Sequence, residues 1–588
     1  MKTFVQSMAG TLVAMFLFIP LCLMLLVFFT GVASLGDLFQ KDPDVVLTVD
    51  LREPLADQAP ASGFAAFSGQ QGFTDLILKI DGAIDDDHVK GIFIRGADSS
   101  IGSARAEELR DVLVDFRDSG KFVIAHTQGG LASFGPSSYR AISAADELWM
   151  QPGTDLVATG IVFETEFLKG LFDKLSITPE IIALYEFKNA PNSYNNETYT
   201  EPHRLALTEL ADSVWSVSLH DIAEDRGLQY DALKNLLESG PIPAEQAEAE
   251  SLVDTLGWPE DAMDAAKERA GGNNVSFVSL GEYTAPAVKS GAPMIAVIGG
   301  EGPIITGSAG GDLFSDSVGF GSDRVARGIL NAADNDDVRA IVFRVDSPGG
   351  SPTASDQIWN AINRAQDAGK PVVVSMGSVA ASGGYYVSAG ADRILANDTT
   401  ITGSIGIFGG KIAIADGLER IGINIEPVLV GGEWSTAFSA DRFTNAQRDQ
   451  MVEMLERGYN RFTSIVAEGR GLTQEEVHER ARGRVWSGED AIGQGLVDEI
   501  GGFRDAIDAA KELAGIDAER DVQLIWYPQR RSGFDALEDA FGVSVEAGDT
   551  LSTLHEFASD PQVRALLEEL QAARAGGIQA RGPTLIER

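Results

Sequence analysis

Two glycine-rich runs set a serine where it could act as a nucleophile. In Ser375-Met-Gly-Ser-Val-Ala-Ala-Ser-Gly-Gly-Tyr-Tyr386, Ser382 lies between the strand-like Pro371–Val374 and the helix-compatible Tyr385–Ala389. A serine at a helix N-terminus has backbone N–H groups and the positive dipole end beside it, and small neighbours let a carbonyl approach. The second run, Asp346-Ser-Pro-Gly-Gly-Ser351, follows the strand-like Ala340–Val345. A Gly-Gly pair there can turn its N–H groups toward a ligand, as an oxyanion hole requires. The candidate donors are the N–H of Gly349 or Gly350 and that of Gly383. The alternative reading is two ordinary strand-to-helix turns, one with a capping serine.

A serine hydroxyl needs a base. The six histidines are His88, His126, His203, His220, His478 and His555, so none falls between 221 and 477. His126 ends a strand-like run but corresponds to Ser375, not to a position beside Ser382. Lysine is the other amine base, and it needs desolvation to lose its proton near neutrality. Lys370 and Lys411 are nearby in sequence, and Lys370 sits in a Gly-Lys turn that reads as structural.

The elements that must position these groups are written twice. Asp85–Arg95 matches Asp334–Arg344, Gly120–Ala125 matches Gly369–Val374, and Ala249–Asp254 matches Ile492–Asp498. A spacing of about 250 residues is far longer than a solenoid repeat and marks two copies of a whole domain. Each copy alternates short apolar strands with helices, which predicts an α/β fold with a largely parallel sheet covered on both faces. The copies differ where chemistry would occur. The first has Gly96-Ala-Asp-Ser-Ser-Ile101 in place of the Pro-Gly-Gly run, and Phe134-Gly-Pro-Ser-Ser-Tyr139 in place of the Ser382 run, keeping Ser137 and Ser138 without the glycines. Conversely, the first copy carries Lys188 after the strand-like Glu180–Leu184, where the second carries Ser435. A divided site, with base from one copy and nucleophile from the other, would explain why both persist. A plain surface lysine is the alternative.

The net charge of −41 argues against a nucleic-acid partner, and the acidic runs read as solvated faces. One cysteine, Cys22, excludes an intrachain disulfide framework, and the scattered histidines offer no metal cluster and imply no cofactor. Thr11–Val32 is charge-free and apolar, long enough for the roughly 20 residues that cross a bilayer. Cys22 reads as filler within it, and Val32-Ala33-Ser34 leaves cleavage as the alternative. Lys2 before the span and Asp37, Asp42 and Asp44 after it place the bulk of the chain outside the cytoplasm. The predicted organisation is a cytoplasmic N-terminus at 1–10, an anchor at 11–35, repeat domains at 40–271 and 291–515, and a partly disordered extension at 516–588 with a helix at 560–573.

The run Asp346-Ser-Pro-Gly-Gly, the run Ser378-Val-Ala-Ala-Ser-Gly-Gly-Tyr-Tyr, the run Thr400-Ile-Thr-Gly-Ser-Ile-Gly-Ile-Phe-Gly409 and the run Gly483-Arg-Val-Trp-Ser-Gly-Glu-Asp-Ala491 resemble those of the signal peptide peptidase A family. The apolar N-terminal run, the duplication and Tyr185-Glu-Phe-Lys-Asn-Ala190 are similar to its long two-repeat form. The resemblance implies tandem Clp-protease/crotonase-like domains and a Ser–Lys dyad. In it Ser382 is the nucleophile, Lys188 the general base and Ser404 a hydroxyl near the lysine amine. Asn189 departs from the serine more usual at that position. The resemblance further implies an anchored homo-oligomer, a tetramer, that degrades cleaved signal peptides on the periplasmic side of the cytoplasmic membrane. A crotonase-like CoA-thioester enzyme and a peptide-binding membrane scaffold are the other readings of the same loops.

Overall fold

The computed structural model describes residues 44–52, 55–59, 71–96, 101–129, 135–272, 274–308, 319–528 and 584–587. The segments read as anchor (11–35) and as tail helix (560–573) lie outside the described residues. Within them no helix is long and apolar enough to cross a membrane.

The duplication is visible in the strand order. The first sheet runs Val275–Ser279, Asp44–Asp50, Val89–Arg95, Phe122–Thr127, Glu147–Met150 and Thr255–Leu256, all parallel. The second runs Gln523–Tyr527, Met294–Glu301, Val338–Ser347, Val372–Ala381, Arg393–Ala396 and Glu499–Ile500 in the same order and also parallel. Each sheet therefore takes an edge strand from beyond the last repeated motif. For the first copy this strand, Val275–Ser279, falls within the Gly- and Asn-rich stretch between the copies. The apolar strands are buried on both faces. Ile341, Phe343 and Val345 face one core, and Ala340 and Val342 the other, as a period of two requires.

The second sheet is elaborated where the site lies. Val338–Ser347 and Val372–Ala381 are each ten residues long, against seven and six for Val89–Arg95 and Phe122–Thr127. Their shared register slips: Val345 pairs with Met376, but Ser347 pairs with Ala380. The far half of Val372–Ala381 turns to a new neighbour, Ile401–Gly403, which pairs antiparallel with Val485–Ser487.

The two copies share buried ion pairs. Arg344 of the second copy, fully buried, donates to Asp57 and Glu108 of the first at 2.8 Å each and to Ser375 Oγ at 2.9 Å. Glu107 accepts from the Asp398 N–H at 2.8 Å and the Thr399 hydroxyl at 2.9 Å, beside the buried Arg140. The acidic runs Asp85–Asp87 and Asp334–Asp337 lie at exposed or half-buried positions, as solvated faces do, but acids at the seam between the copies do not. Asp57, Glu107 and Glu108 are buried because guanidinium groups and backbone N–H groups of the facing surface satisfy them.

Candidate active site

The placement of Ser382 follows from strand and helix meeting without a loop. Val372–Ala381 ends at Ala381, the helix Gly383–Ser388 begins two residues later, and Ser382 is the hinge with φ 54° and ψ −113°. Its N–H donates to Gly403 O at 2.8 Å and its carbonyl accepts from Tyr386 N at 2.9 Å. Its side chain makes no capping bond, so Oγ is left to face outward from the turn. Among the described residues six non-glycines have positive φ, and four of them, Tyr185, Ser382, Ser404 and Arg482, belong to this site. Strain of this kind survives only where surrounding contacts over-determine it, and it clusters at functional sites.

Lys188 reaches Ser382 from the other copy. The strand Thr178–Ala183 pairs antiparallel with Phe408–Ala413 of the second copy. Beyond it, Leu184 N donates to Ile407 O and Phe187 N to Arg482 O, each at 3.2 Å. The chain thereby delivers Lys188 into the second copy, where it is 4% exposed. Its Nζ lies 3.0 Å from Ser382 Oγ, 2.9 Å from Ser404 Oγ and 3.0 Å from Ser404 O. Burial away from water pushes the amine down to about 7. A neutral amine has two hydrogens and one lone pair. The hydrogens match the two Ser404 oxygens, and the lone pair matches the Ser382 hydroxyl proton.

The lysine's passage is lined by backbone. Gly483, at φ 84°, lies so close that a Cβ there would stand 2.5 Å from Lys188 Cα, and one on Gly406 would stand 3.2 Å from Lys188 Cδ. The Gly483 run is readable in the sequence, but this role is not. A glycine whose neighbour is a buried lysine from another domain leaves no local periodicity to find it by.

The second glycine loop abuts Ser382. A Cβ on Gly349, at φ 105°, would stand 2.7 Å from Gly383 N and 2.8 Å from Ser382 Cβ. Gly349 O accepts from Ile304 N at 2.9 Å and Ser351 N donates to Ile304 O at 2.8 Å. In that parallel bridge Gly350 turns its own N–H the opposite way. Gly383 opens a helix, where N–H groups have no intrahelical acceptor. The Gly349 N–H donates to Ser347 Oγ at 3.1 Å, so of the three candidate donors Gly350 and Gly383 are the two with N–H groups to offer.

The remaining sequence candidates lie in structural roles. His126 is buried in the first sheet with Nε2 3.1 Å from Gly257 O. Lys370 donates to Asn335 O and Val338 O. Lys411 donates to Ser439 O and lies over the Phe443 ring. Ser137 and Ser138 are buried in the helix Pro136–Ser143. Among the described residues no group of three or more His, Cys, Asp or Glu is placed to hold a metal ion. A strained serine, a desolvated lysine and convergent N–H groups form a set suited to acyl transfer.

Comparison with known proteins bears on both copies. The sequence pattern of "Peptidase family S49" matches residues 115–273 and again 364–517. "Protease 4" of Salmonella typhi is 32% identical over 80% of this chain and 76% of that protein. "Serine protease SPPA, chloroplastic" of Arabidopsis thaliana is 27% identical over 91% and 77%. "Putative signal peptide peptidase SppA" of Enterococcus faecium is 27% identical over 48% and 82%. Among solved structures, a ClpP1 mutant from Listeria monocytogenes aligns over 36% of this chain and 94% of its own, at 18% identity and a TM-score of 0.24.

Proposed function

The chain belongs to peptidase family S49, and from that premise we propose that it is a membrane-anchored serine endopeptidase with a Ser382–Lys188 dyad. Its substrates are cleaved signal peptides and other extended apolar peptides, taken on the periplasmic side of the cytoplasmic membrane. The observation that carries this reading is the 3.0 Å approach of a buried, uncharged-prone lysine to a strained serine 194 residues away. Names given to relatives support the substrate class. The charge-free Thr11–Val32 run supports the anchor.

In this mechanism Lys188 Nζ takes the Ser382 proton as Oγ bonds to the peptide carbonyl carbon. The resulting oxyanion is held by the Gly350 and Gly383 N–H groups. The C–N bond then breaks and Lys188 delivers its proton to the leaving amine. Water attacks the acyl-serine ester, Lys188 takes the water's proton, and Ser382 leaves with that proton restored. The two Ser404 oxygens accept two of the N–H bonds throughout, so the third position on Nζ, lone pair or transferred proton, stays toward Oγ.

The test compares full-length protein with Ser382→Ala and Lys188→Ala on casein and on a synthetic signal peptide. Each variant should lose activity by about a thousandfold or more, because dyad members act as a unit. Cleavage by both variants at the parent rate would sink the dyad.

The reading includes a homo-oligomer, a tetramer. Its support is the segment after helix Ala415–Arg420, where Ile421, Val428, Val430 and Phe438 are 71, 92, 89 and 62% exposed. By the internal repeat this segment corresponds to Thr178–Ala183, which in the first copy is covered by Phe408–Ala413. An uncovered apolar stretch of that kind fits a second copy of the chain.

A further inference from the structure

We propose that Arg105, from the first copy, is a positioning residue for the oxyanion loop and acts through Asp346. The proposal deepens the peptidase reading above and rests on it.

Between Val345 and Ser347 the neighbouring strand passes from Met376 to Ala380, so Gly377, Ser378 and Val379 leave the ladder with Val338–Ser347, although Val379 pairs with Ile401 on its other side. A bulge strands backbone groups that the sheet would otherwise pair. Here side chains take them. The Val379 N–H donates to Asp346 Oδ1 at 3.0 Å, and the Gly377 carbonyl accepts from Thr400 Oγ1 at 2.8 Å. Asp346 is thus the pin that fixes the bulge, three residues before the nucleophile.

The same residue fixes the other loop. Its carbonyl accepts from Gly302 N at 2.9 Å, and the next residue, Ser347, donates through Oγ to Gly302 O at 2.7 Å and accepts from Gly349 N. One aspartate therefore sets the relative position of the two loops that carry Gly350 and Gly383. Asp346 is 9% exposed, and a carboxylate so placed needs a cation. The cation comes from the first copy. Arg105 Nη2 donates to Asp346 Oδ2 at 2.8 Å and to Glu301 Oε1 at 3.2 Å, while Nη1 donates to Leu55 O at 2.6 Å. Glu301 ends the strand that leads into Gly302, so one guanidinium nitrogen, Nη2, holds both walls of the loop. Arg105 stands in the first turn of helix Ser103–Asp118, the counterpart of Pro352–Asp367 behind the glycine loop of the second copy. The first copy lacks the Pro-Gly-Gly run of its own but supplies the group that braces its partner's.

The experiment uses full-length protein with Arg105→Gln, Arg105→Lys and Asp346→Asn. The control is Arg504→Gln, which removes an inter-copy ion pair to Asp81 and Asp115 and touches neither loop. Readouts are kcat, KM, melting temperature and affinity for a peptide aldehyde, whose hemiacetal on Ser382 needs the same oxyanion donors. For Arg105→Gln and Asp346→Asn, kcat and aldehyde affinity should both fall about tenfold to a hundredfold, the scale of a misplaced reacting geometry. KM should stay within about twofold, the acid limb of the pH profile should not move, and Arg105→Lys should recover part of the loss. Arg504→Gln should lower the melting temperature without lowering kcat. Combining Arg105→Gln with Asp346→Asn should cost no more than either alone, since both break one link. The proposal is overturned if kcat and aldehyde affinity survive Arg105→Gln, or fall only as far as in Arg504→Gln, or if the double variant is additive. If Arg105→Gln does not fold, survival of kcat in Asp346→Asn overturns it instead, because that variant keeps an acceptor for Val379. Ser382→Ala, assayed in parallel, separates the two levels: turnover there refutes the dyad, whereas an inert Ser382→Ala with an unaffected Arg105→Gln refutes the brace alone.

Discussion

At the scale of single residues, the lysine carries a linked cost and benefit. Its folded amine titrates near 7, well below an exposed lysine's roughly 10.4, because burial disfavours the charged form. Activity should therefore rise with pH through an acid limb near 7, read from kcat/KM on a peptide without titrating groups. The same shift lowers stability, since the unfolded chain holds a proton there that the folded chain does not. The penalty is complete below pH 7, shrinks as pH rises toward 10, and is absent above that. Lys188→Met should thus melt higher than the parent, with the gap widest below pH 7 and closing toward pH 10. Gly483→Ala should cut activity by at least about tenfold by pushing Lys188 from Ser382, and its acid limb should shift if the amine becomes wetter. Ser382 was legible in the sequence because strand end, serine and glycines are contiguous. Arg105, Asp57 and Glu108 were not, because a buried acid or arginine looks like any surface charge until its partner in the facing copy is known.

At the scale of elements, the alternation of apolar strands and helices announced the sheets, and the repeat announced that there would be two alike. The strand Val372–Ala381 runs on through residues that read as a turn, since its bulge is stabilised by Asp346 and Thr400 rather than by anything in its own composition. The edge strand Gln523–Tyr527 also matters more than its place near the C-terminus suggests. It pairs along Met294–Glu301, Tyr527 Oη accepts from Asn335 Nδ2 at 3.0 Å, and Trp526 packs on Phe503. Truncation after Pro528 should preserve activity, although it uncovers the strand Ile161–Glu164 that Thr584–Glu587 pairs with. Truncation after Gly515 should lower the melting temperature by several degrees or more, as scanning calorimetry would register. Arg344→Met leaves Glu108 buried without its cation and Asp57 with only the more distant Arg105, and should cost about 3–5 kcal/mol in chemical denaturation.

At the scale of the molecule, the copies have divided one task. The second keeps the glycine loops and Ser382; the first supplies Lys188, on the segment that follows a strand inserted into its partner, and a helix that packs against the loops. Sequence comparison located both halves of the site but left open whether they meet in one chain. They do, since Lys188 and Ser382 touch within a single polypeptide. If a second copy covers the exposed stretch around Val428, Val428→Asp should shift sedimentation toward the monomer while Lys188 and Ser382 stay in contact within each chain.

That closure within one polypeptide has a genetic reading. Were the serine of one chain served by the lysine of its neighbour, a cell expressing one allele with Ser382→Ala and another with Lys188→Ala would assemble some intact sites in mixed particles. With Lys188 and Ser382 in contact within one chain, the proposed dyad makes each gene product inactive on its own account, and co-expression should rescue nothing. The duplication gave the chain two domains but only one unit of inheritance for the serine and lysine of the proposed dyad.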